Sequence, residues 1–218
     1  VYDDTQSGIG DVSDNSFYVV RPIAAGGQIG EISNRVGEYD YPLVSAAALN
    51  YNDLALVLTN PAVTDAASMA ASLGDSIHRV LRYRAVTQSF QTYHVGNLAT
   101  NFSLSTGDFL FVVTDATAPP TATLVGGVPA PGSVSFNLVF GTSGRYNFLS
   151  LPLDQAALSS ASAVATDIGP AVLGVIRYRS DTASYQTFIP GNPGTDFPLS
   201  IGEPFAVVLT SGAPVTWP

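Results

Sequence analysis

The chain contains no cysteine and no lysine. Without cysteine there is no disulfide, no thiolate nucleophile and no Cys-ligated zinc. Without lysine there is no Schiff-base chemistry and no Lys–Asn isopeptide link. All eight basic residues are therefore arginines. Charge of either sign is scarce: 11% of the 218 residues are Asp, Glu, Lys or Arg, against roughly 25% in an ordinary soluble domain. A free monomer normally keeps itself apart with interspersed charge. A chain this poor in charge is expected to be glycosylated or packed against neighbours over much of its surface, and packing is the preferred reading.

The charge that is present sums to -9 at pH 7, so no basic stripe exists for the phosphates of a nucleic acid. No apolar run approaches the ~18 residues of a membrane span, and no membrane insertion is expected. The polar opening "VYDDTQSGIGDVSDNS" also excludes assembly through a hydrophobic N-terminal helix. A start at Val1 rather than Met reads as a processed product whose signal peptide has been removed.

What the chain does have is a core and a repeat. Apolar residues make up 46% of it, which argues against disorder. A shift of 95 positions aligns 51–119 with 146–214 without a gap, and 28 of the 69 pairs are identical. "YNDLALVL" lies over "YNFLSLPL", "RYRAVTQSFQTYHVGN" over "RYRSDTASYQTFIPGN", and "NFSLSTGDFLFVV" over "DFPLSIGEPFAVV". The match extends back to "YDYPLVS" (39–45) over "VSFNLVF" (134–140). A tandem duplication accounts for this pattern.

Each copy reads the same way. Leu54, Leu56 and Leu58 alternate, as do Leu149, Leu151 and Leu153, which is the period of a half-buried strand. A short Ala-rich helix follows, with Thr64 or Ser159 as the expected cap and Gly74 or Gly169 ending it. Two strands around a polar turn come next, then a Gly-bearing loop and a last apolar strand. The fold expected is mainly β: two tandem β-sandwich or barrel-like repeat domains, each with one short helix, plus an N-terminal extension. The boundaries expected are 1–38 for the extension, 39–120 for the first unit, and 121–218 for a connecting strand and the second unit.

The second copy, through Tyr146, Asn147, Leu149, Ser150, Leu151, Pro152, Phe197, Pro198, Leu199, Gly202, Thr216 and Trp217, resembles a repeat of large secreted and cell-surface proteins of environmental bacteria. That repeat opens on (W/Y)-N-L-(I/V)-S-L-P and runs on through F-P-L-x-x-G to a Trp-bearing strand. The first copy departs from it at 53–57 and at Ser103. The resemblance covers 39–218 and implies architecture and an extracellular location, with no activity attached.

The residues with chemical potential read mostly as structural. Arg82 with Arg84, and Arg177 with Arg179, share a strand face; they could clamp a carboxylate or a sugar, but pairing with Asp or Gln across the sheet is preferred. His78 and His94 become Leu173 and Ile189 in the second copy, so no duplicated histidine site exists. There are three glutamates (Glu31, Glu38, Glu203), too few for an obvious glycosidase pair. "GTSG" (141–144) reads as a turn, not a nucleophile elbow. Asp3, Asp4, Asp11 and Asp14 lack the order of a calcium loop. Asn101-Phe102-Ser103 is a candidate glycosylation acceptor. Phe90, Tyr93, Tyr185 and Phe188 could stack on sugars, although their alternation favours core packing.

No catalytic residue, metal site or cofactor is expected, and the chain reads as a non-enzyme. The function expected is a structural subunit of an extracellular filament or surface layer, with copies of itself as partner. Strand complementation would join the copies head to tail. Phe17, Tyr18, Val19 and Val20 on the N-terminal side, and Val215 and Trp217 on the C-terminal side, are the expected interface residues. The alternative is a carbohydrate-binding or adhesion module of a secreted protein, with glycans as partner.

Overall fold

The computed structural model describes residues 15–45, 50–119, 121–210, 212 and 215–218. The expected mainly-β fold is present. In chain order the elements are β1 (Ser16–Tyr18), β2 (Val36–Pro42), β3 (Asn50–Ala55), α1 (Ala66–Leu73), β4 (Ile77–Arg84), β5 (Ser89–His94), β6 (Phe109–Thr114) and β7 (Thr121–Gly127). The second unit follows with β8 (Phe136–Leu138), β9 (Arg145–Ser150), α2 (Ala161–Ile168), β10 (Val172–Arg179), β11 (Ser184–Phe188), β12 (Pro204–Leu209) and β13 (Val215–Trp217).

Each unit has one four-stranded antiparallel sheet, β3-β6-β4-β5 in the first and β9-β12-β10-β11 in the second. A smaller sheet covers it, β1-β2-β7 in the first and β8-β13 in the second. The strand alternation read from the sequence fixes which side chains lie between the sheets. Leu54, Val80, Leu110 and Val112 of the first large sheet are fully buried, against Tyr41, Leu43, Ala122 and Leu124. In the second unit Leu149, Val175, Phe205 and Val207 pack with Leu138 and Trp217. Each fully buried Leu or Val contributes roughly 1.5–3 kcal/mol.

Each helix packs against the strand that follows it, α1 on β4 and α2 on β10. Their caps sit one residue later than expected, at Asp65 and Ser160 rather than Thr64 and Ser159. Asp65 accepts from Ser68 N–H while Ser68 reaches back to the cap, and Ser160 accepts from Ala163 N–H. An extended residue whose oxygen meets the third helical amide is the cap, and the neighbouring Thr64 and Ser159 use their backbone carbonyls on Leu104 and Leu199 instead. Gly74 and Gly169, both at positive φ, end the helices as expected.

A buried asparagine stitches the two sheets together in each unit. Asn52 Oδ1 accepts from Val44 N–H at 2.7 Å, and its amide donates to Thr114 Oγ1 at 2.9 Å. Asn147 repeats the grip on Val139, accepting at 2.7 Å and donating at 2.9 Å.

Two expectations on connectivity change. The strand Thr121–Gly127, expected to lead into the second unit, pairs along its length with β2 and completes the first. Its apolar alternation, Ala122 and Leu124 inward, needs the core already built there. Trp217, expected at a subunit interface, is 4% exposed. It stacks on Phe136, meets Phe205 edge-on, and donates from Nε1 to Asp167 at 2.7 Å. An indole whose N–H finds a partner inside its own unit is core.

Candidate functional site

The repeated hairpin serves as a scaffold. In the first unit Arg82 donates to the Ser103 carbonyl at 2.8 Å and to Asp108 at 2.9 Å, with its guanidinium over the Phe102 ring. In the second unit Arg177 donates to the Pro198 carbonyl, to Glu203 at 3.1 Å and to Gln186, over the Phe197 ring. Each arginine thus ties a strand to the Gly-bearing turn before β6 or β12. Glu203 is consumed by this: Oε1 takes Arg177 and Oε2 takes Ser200 N–H.

Those turns dock the units onto each other reciprocally. A Cβ on Gly107 would meet Val134 at 2.9 Å and Phe136 at 3.2 Å, both in the second unit. A Cβ on Gly202 would meet the Tyr39 ring of the first unit at 2.5 Å. Both glycines have positive φ, 95° and 77°, so conformation and space select the same residue. Tyr39 donates to the Ile201 carbonyl at 2.6 Å and Tyr41 to the Gly202 carbonyl at 3.0 Å. Burial pushes both phenols up out of their ordinary range, so they remain donors.

This reciprocal seam has a sealed end and an open end. At the sealed end Phe148 packs between Tyr83 (4.6 Å between centroids), Phe109 (4.9 Å) and Phe90 (6.0 Å). Gln88, the positive-φ residue of the β4–β5 turn, donates to the Tyr146 carbonyl at 3.0 Å and accepts from Tyr146 N–H at 2.9 Å. A side-chain amide thus occupies the β9 edge as a strand would. At the open end the repeat places Asp53 for Phe148, Ala183 for Gln88 and Pro204 for Phe109.

The result at the open end is a cleft of about 450 Å³ between the units, lined among others by Tyr39, Tyr41, Asp53, Tyr178, Arg179 and Glu203. Asp53 accepts from Ser180 Oγ at 3.0 Å across the seam. Burial, only partly offset by the Ser180 hydrogen bond, pushes its carboxyl from the ordinary 3.8 up to about 6. Arg179 is held by Asp181 through two contacts, 3.1 and 2.8 Å. Sequence reading did not single out Asp53 as a site. Its signal was the one-sided Asp/Phe mismatch inside an otherwise well-kept "YNxLxL" segment.

A second feature is an arm. Between β1 and β2, residues 19–35 form a hairpin held by its own bonds: Val20 with Ser33, Pro22 with Gly30, and Ala24 with Gln28. Every residue of 19–35 is exposed. Ile23 is 71% exposed, Val20 62%, Ile29 59% and Ile32 54%. Arg21 and Glu31 lie in the same arm.

The other sequence candidates scatter. Phe17, Val19 and Val20 are exposed on or beside β1, which pairs with β2 of its own chain; Tyr18 is half-buried there. Val215 is exposed at the opposite end of the protein's sequence, and Trp217 beside it is core. Asn101 is half-buried and accepts from Ala67 and Phe102 N–H, the role Asp196 plays in the second unit; it is part of the helix start. His78 pairs with Asp115 at 3.0 Å on the surface, and His94 is exposed elsewhere on the sheet edge. Glu38 is buried in β2. Tyr93 and Phe188 are core, whereas Phe90 and Tyr185 point out of the opposite sheet face. Asp3, Asp4, Asp11 and Asp14 lie outside the described residues.

Among the described residues no group of three or more His, Cys, Asp or Glu could hold a metal, and no helix is long and apolar enough to cross a membrane. Compared with known proteins, the chain matches no family model, no curated protein and no solved structure.

Proposed function

We propose that the protein is a structural subunit of an extracellular filament or surface layer, joined head to tail through its N-terminal arm. The observation that carries this is the arm itself. It exposes Val19, Val20, Ile23, Ile29 and Ile32 in one short stretch, with no core of its own. An isolated hairpin is marginal in water, and contiguous exposed apolar surface marks an interaction site.

The strand at its root favours exchange. β1 contributes three residue pairs to the edge of β2, with Phe17 still 38% exposed. Little is lost if β1 leaves its own sheet, and the same three pairs can form on β2 of another copy. Swapping an identical element between copies is a low-cost route to assembly. A repeat of one hand that does not close on itself then gives a fibre. The low charge and the resemblance of 39–218 to secreted surface repeats support the same reading and the extracellular location.

The test is light scattering and negative-stain electron microscopy on the full chain, on a chain lacking residues 1–25, and on Val20→Asp with Ile23→Asp. Both point substitutions sit at exposed positions, so the fold is retained. The expectation is that the full chain assembles and the two variants do not. A monodisperse 22.6 kDa species from the full chain, or filaments from both variants, overturns the proposal.

A further inference from the structure

The two ends of the seam descend from one arrangement, and only one has been closed. Position by position, Phe148 is replaced by Asp53, Phe109 by Pro204, Gln88 by Ala183 and Phe136 by Tyr41. At the sealed end these side chains fill the space between the units and cover the β9 edge. At the open end the same space is a cleft of about 450 Å³, within the usual ~300–1,000 Å³ of small-ligand sites. A seam that only joined two units would gain from closure at both ends, because burying apolar surface stabilises each.

The charges in the cleft define what fits. Six ionisable side chains line it: Asp40, Asp53, Asp181, Glu203, Arg177 and Arg179. Arg177 is taken by Glu203 and Arg179 by Asp181. The two carboxylates left over are Asp53, which accepts from the neutral Ser180 hydroxyl, and Asp40, whose Oδ1 takes the Thr123 hydroxyl while Oδ2 is buried with no hydrogen-bond partner among the described residues. Neither is hydrogen-bonded to an arginine of the cleft; Arg177, whose charge reaches Asp53 through space, gives its hydrogen bonds to Glu203 and Gln186. An anionic ligand would meet two carboxylates and two guanidiniums already engaged. A cation meets a carboxylate that no arginine hydrogen-bonds, in a cleft also lined by Tyr41 and Tyr178.

We propose that the open end of the seam binds an organic cation, a guanidinium or primary ammonium group on an apolar stem, with Asp53 as its carboxylate partner. The cation has two possible sources. One is a free small molecule. The other is an arginine of a second copy, such as the exposed Arg21 of the arm, since arginine is the only permanently cationic side chain this protein has.

Agmatine is the probe, titrated by calorimetry at constant ionic strength into the full chain, Asp53→Asn and Asp53→Phe. The expectation is saturable one-to-one binding, weakened about tenfold or more by Asp53→Asn and abolished by Asp53→Phe, which copies the sealed end and therefore melts as a folded protein. Asp115→Asn, remote from the cleft, binds as the parent does. If saturating agmatine also disperses assembled protein, the cation in the assembly is a neighbouring copy's arginine; if assembly is unaffected, the site serves a free ligand. Absence of saturable binding to the full chain, or undiminished binding to Asp53→Asn, overturns the proposal.

Discussion

Phe148 and Asp53 hold the same position in the two copies of the repeat, yet one meets Tyr83 ring to ring at 4.6 Å while the other takes a hydroxyl from Ser180 at 3.0 Å. Both contacts cross between the units. Duplication made the seam reciprocal, and this substitution made its two ends different.

The sealed end should therefore carry more of the stability of the seam. Phe148→Ala removes a half-buried ring that touches Tyr83, Phe90, Phe109 and Phe111. Full burial of such a ring costs about 3–5 kcal/mol to delete, so about 2–3 kcal/mol is expected here. Phe148→Asp should cost more, because it places a charge among rings that offer it no partner. Urea denaturation followed by tyrosine fluorescence measures both.

Asp53 gives the protein a pH dependence of defined sign. Burial holds its folded pKa near 6, above the 3.8 of the unfolded chain. Between those values the folded state keeps a proton that the unfolded state has released. The contribution to stability is thus complete below about pH 3.8 and is lost as pH rises through 6, amounting at most to about 3 kcal/mol. Asp53→Asn should raise stability at pH 7.5 and leave it unchanged near pH 4, flattening the difference between. Asp115 acts in the other direction: the Thr117 hydroxyl, then His78, hold its carboxyl at about 2, so its contribution is lost only as pH falls below the ordinary carboxylate range. Thermal melts of the parent and Asp53→Asn between about pH 4 and 8 test the first contribution, and melts of the parent and Asp115→Asn carried down to about pH 2 test the second.

The fold was largely legible in the sequence, because the duplication is gapless and the Leu54–Leu58 and Leu149–Leu153 alternations name the inward faces. Arg82 and Arg177 read as pairing with Asp or Gln across the sheet; Gln91 and Gln186 do lie across it, whereas Asp108 and Glu203, which take the same arginines, sit in the Gly-bearing turns. The membership of Thr121–Gly127 was less legible. Its apolar alternation shows that it is a strand, but only pairing with β2, some eighty residues earlier, shows whose strand it is. The cleft was hidden for a similar reason. Asp53 lies inside a well-formed strand, and its meaning depends on Ser180 and Arg177, which long-range packing brings to it. Phe90 and Tyr185 illustrate the other limit: alternation says that they face away from Tyr93 and Phe188, and does not say what lies on that side.

The buried asparagines should be the costliest polar positions in the protein. Asn147 satisfies the Val139 N–H and C=O together. Asn147→Ala leaves both without that partner inside a closed sandwich, an expected loss of about 2–4 kcal/mol. Asn147→Asp keeps the acceptor and removes the donor, so it should be destabilising at pH 7 and partly recover as the carboxyl is protonated. Asn52→Ala should behave alike in the first unit through Val44 and Thr114. Chemical denaturation at two pH values separates these effects.

Gly202→Ala tests whether the two units fold as one. The new methyl would sit 2.5 Å from the Tyr39 ring, on a backbone with φ of 77°. The left-handed conformation alone costs about 1–2 kcal/mol for alanine, and displacement of Tyr39 removes its bond to the Ile201 carbonyl. Tyr39 is a rigid, buried side chain in a central strand, so it cannot swing away as a lysine would. The expected outcome is a loss of about 2–4 kcal/mol, concentrated on the docking of the units rather than on either core. Calorimetry should then resolve one unfolding transition into two, whereas Gly132→Ala, in a turn with nothing within 4 Å, should keep a single transition and lose only the backbone cost. A single transition in Gly202→Ala at the parent's midpoint would show that the Gly202 turn does not couple the units.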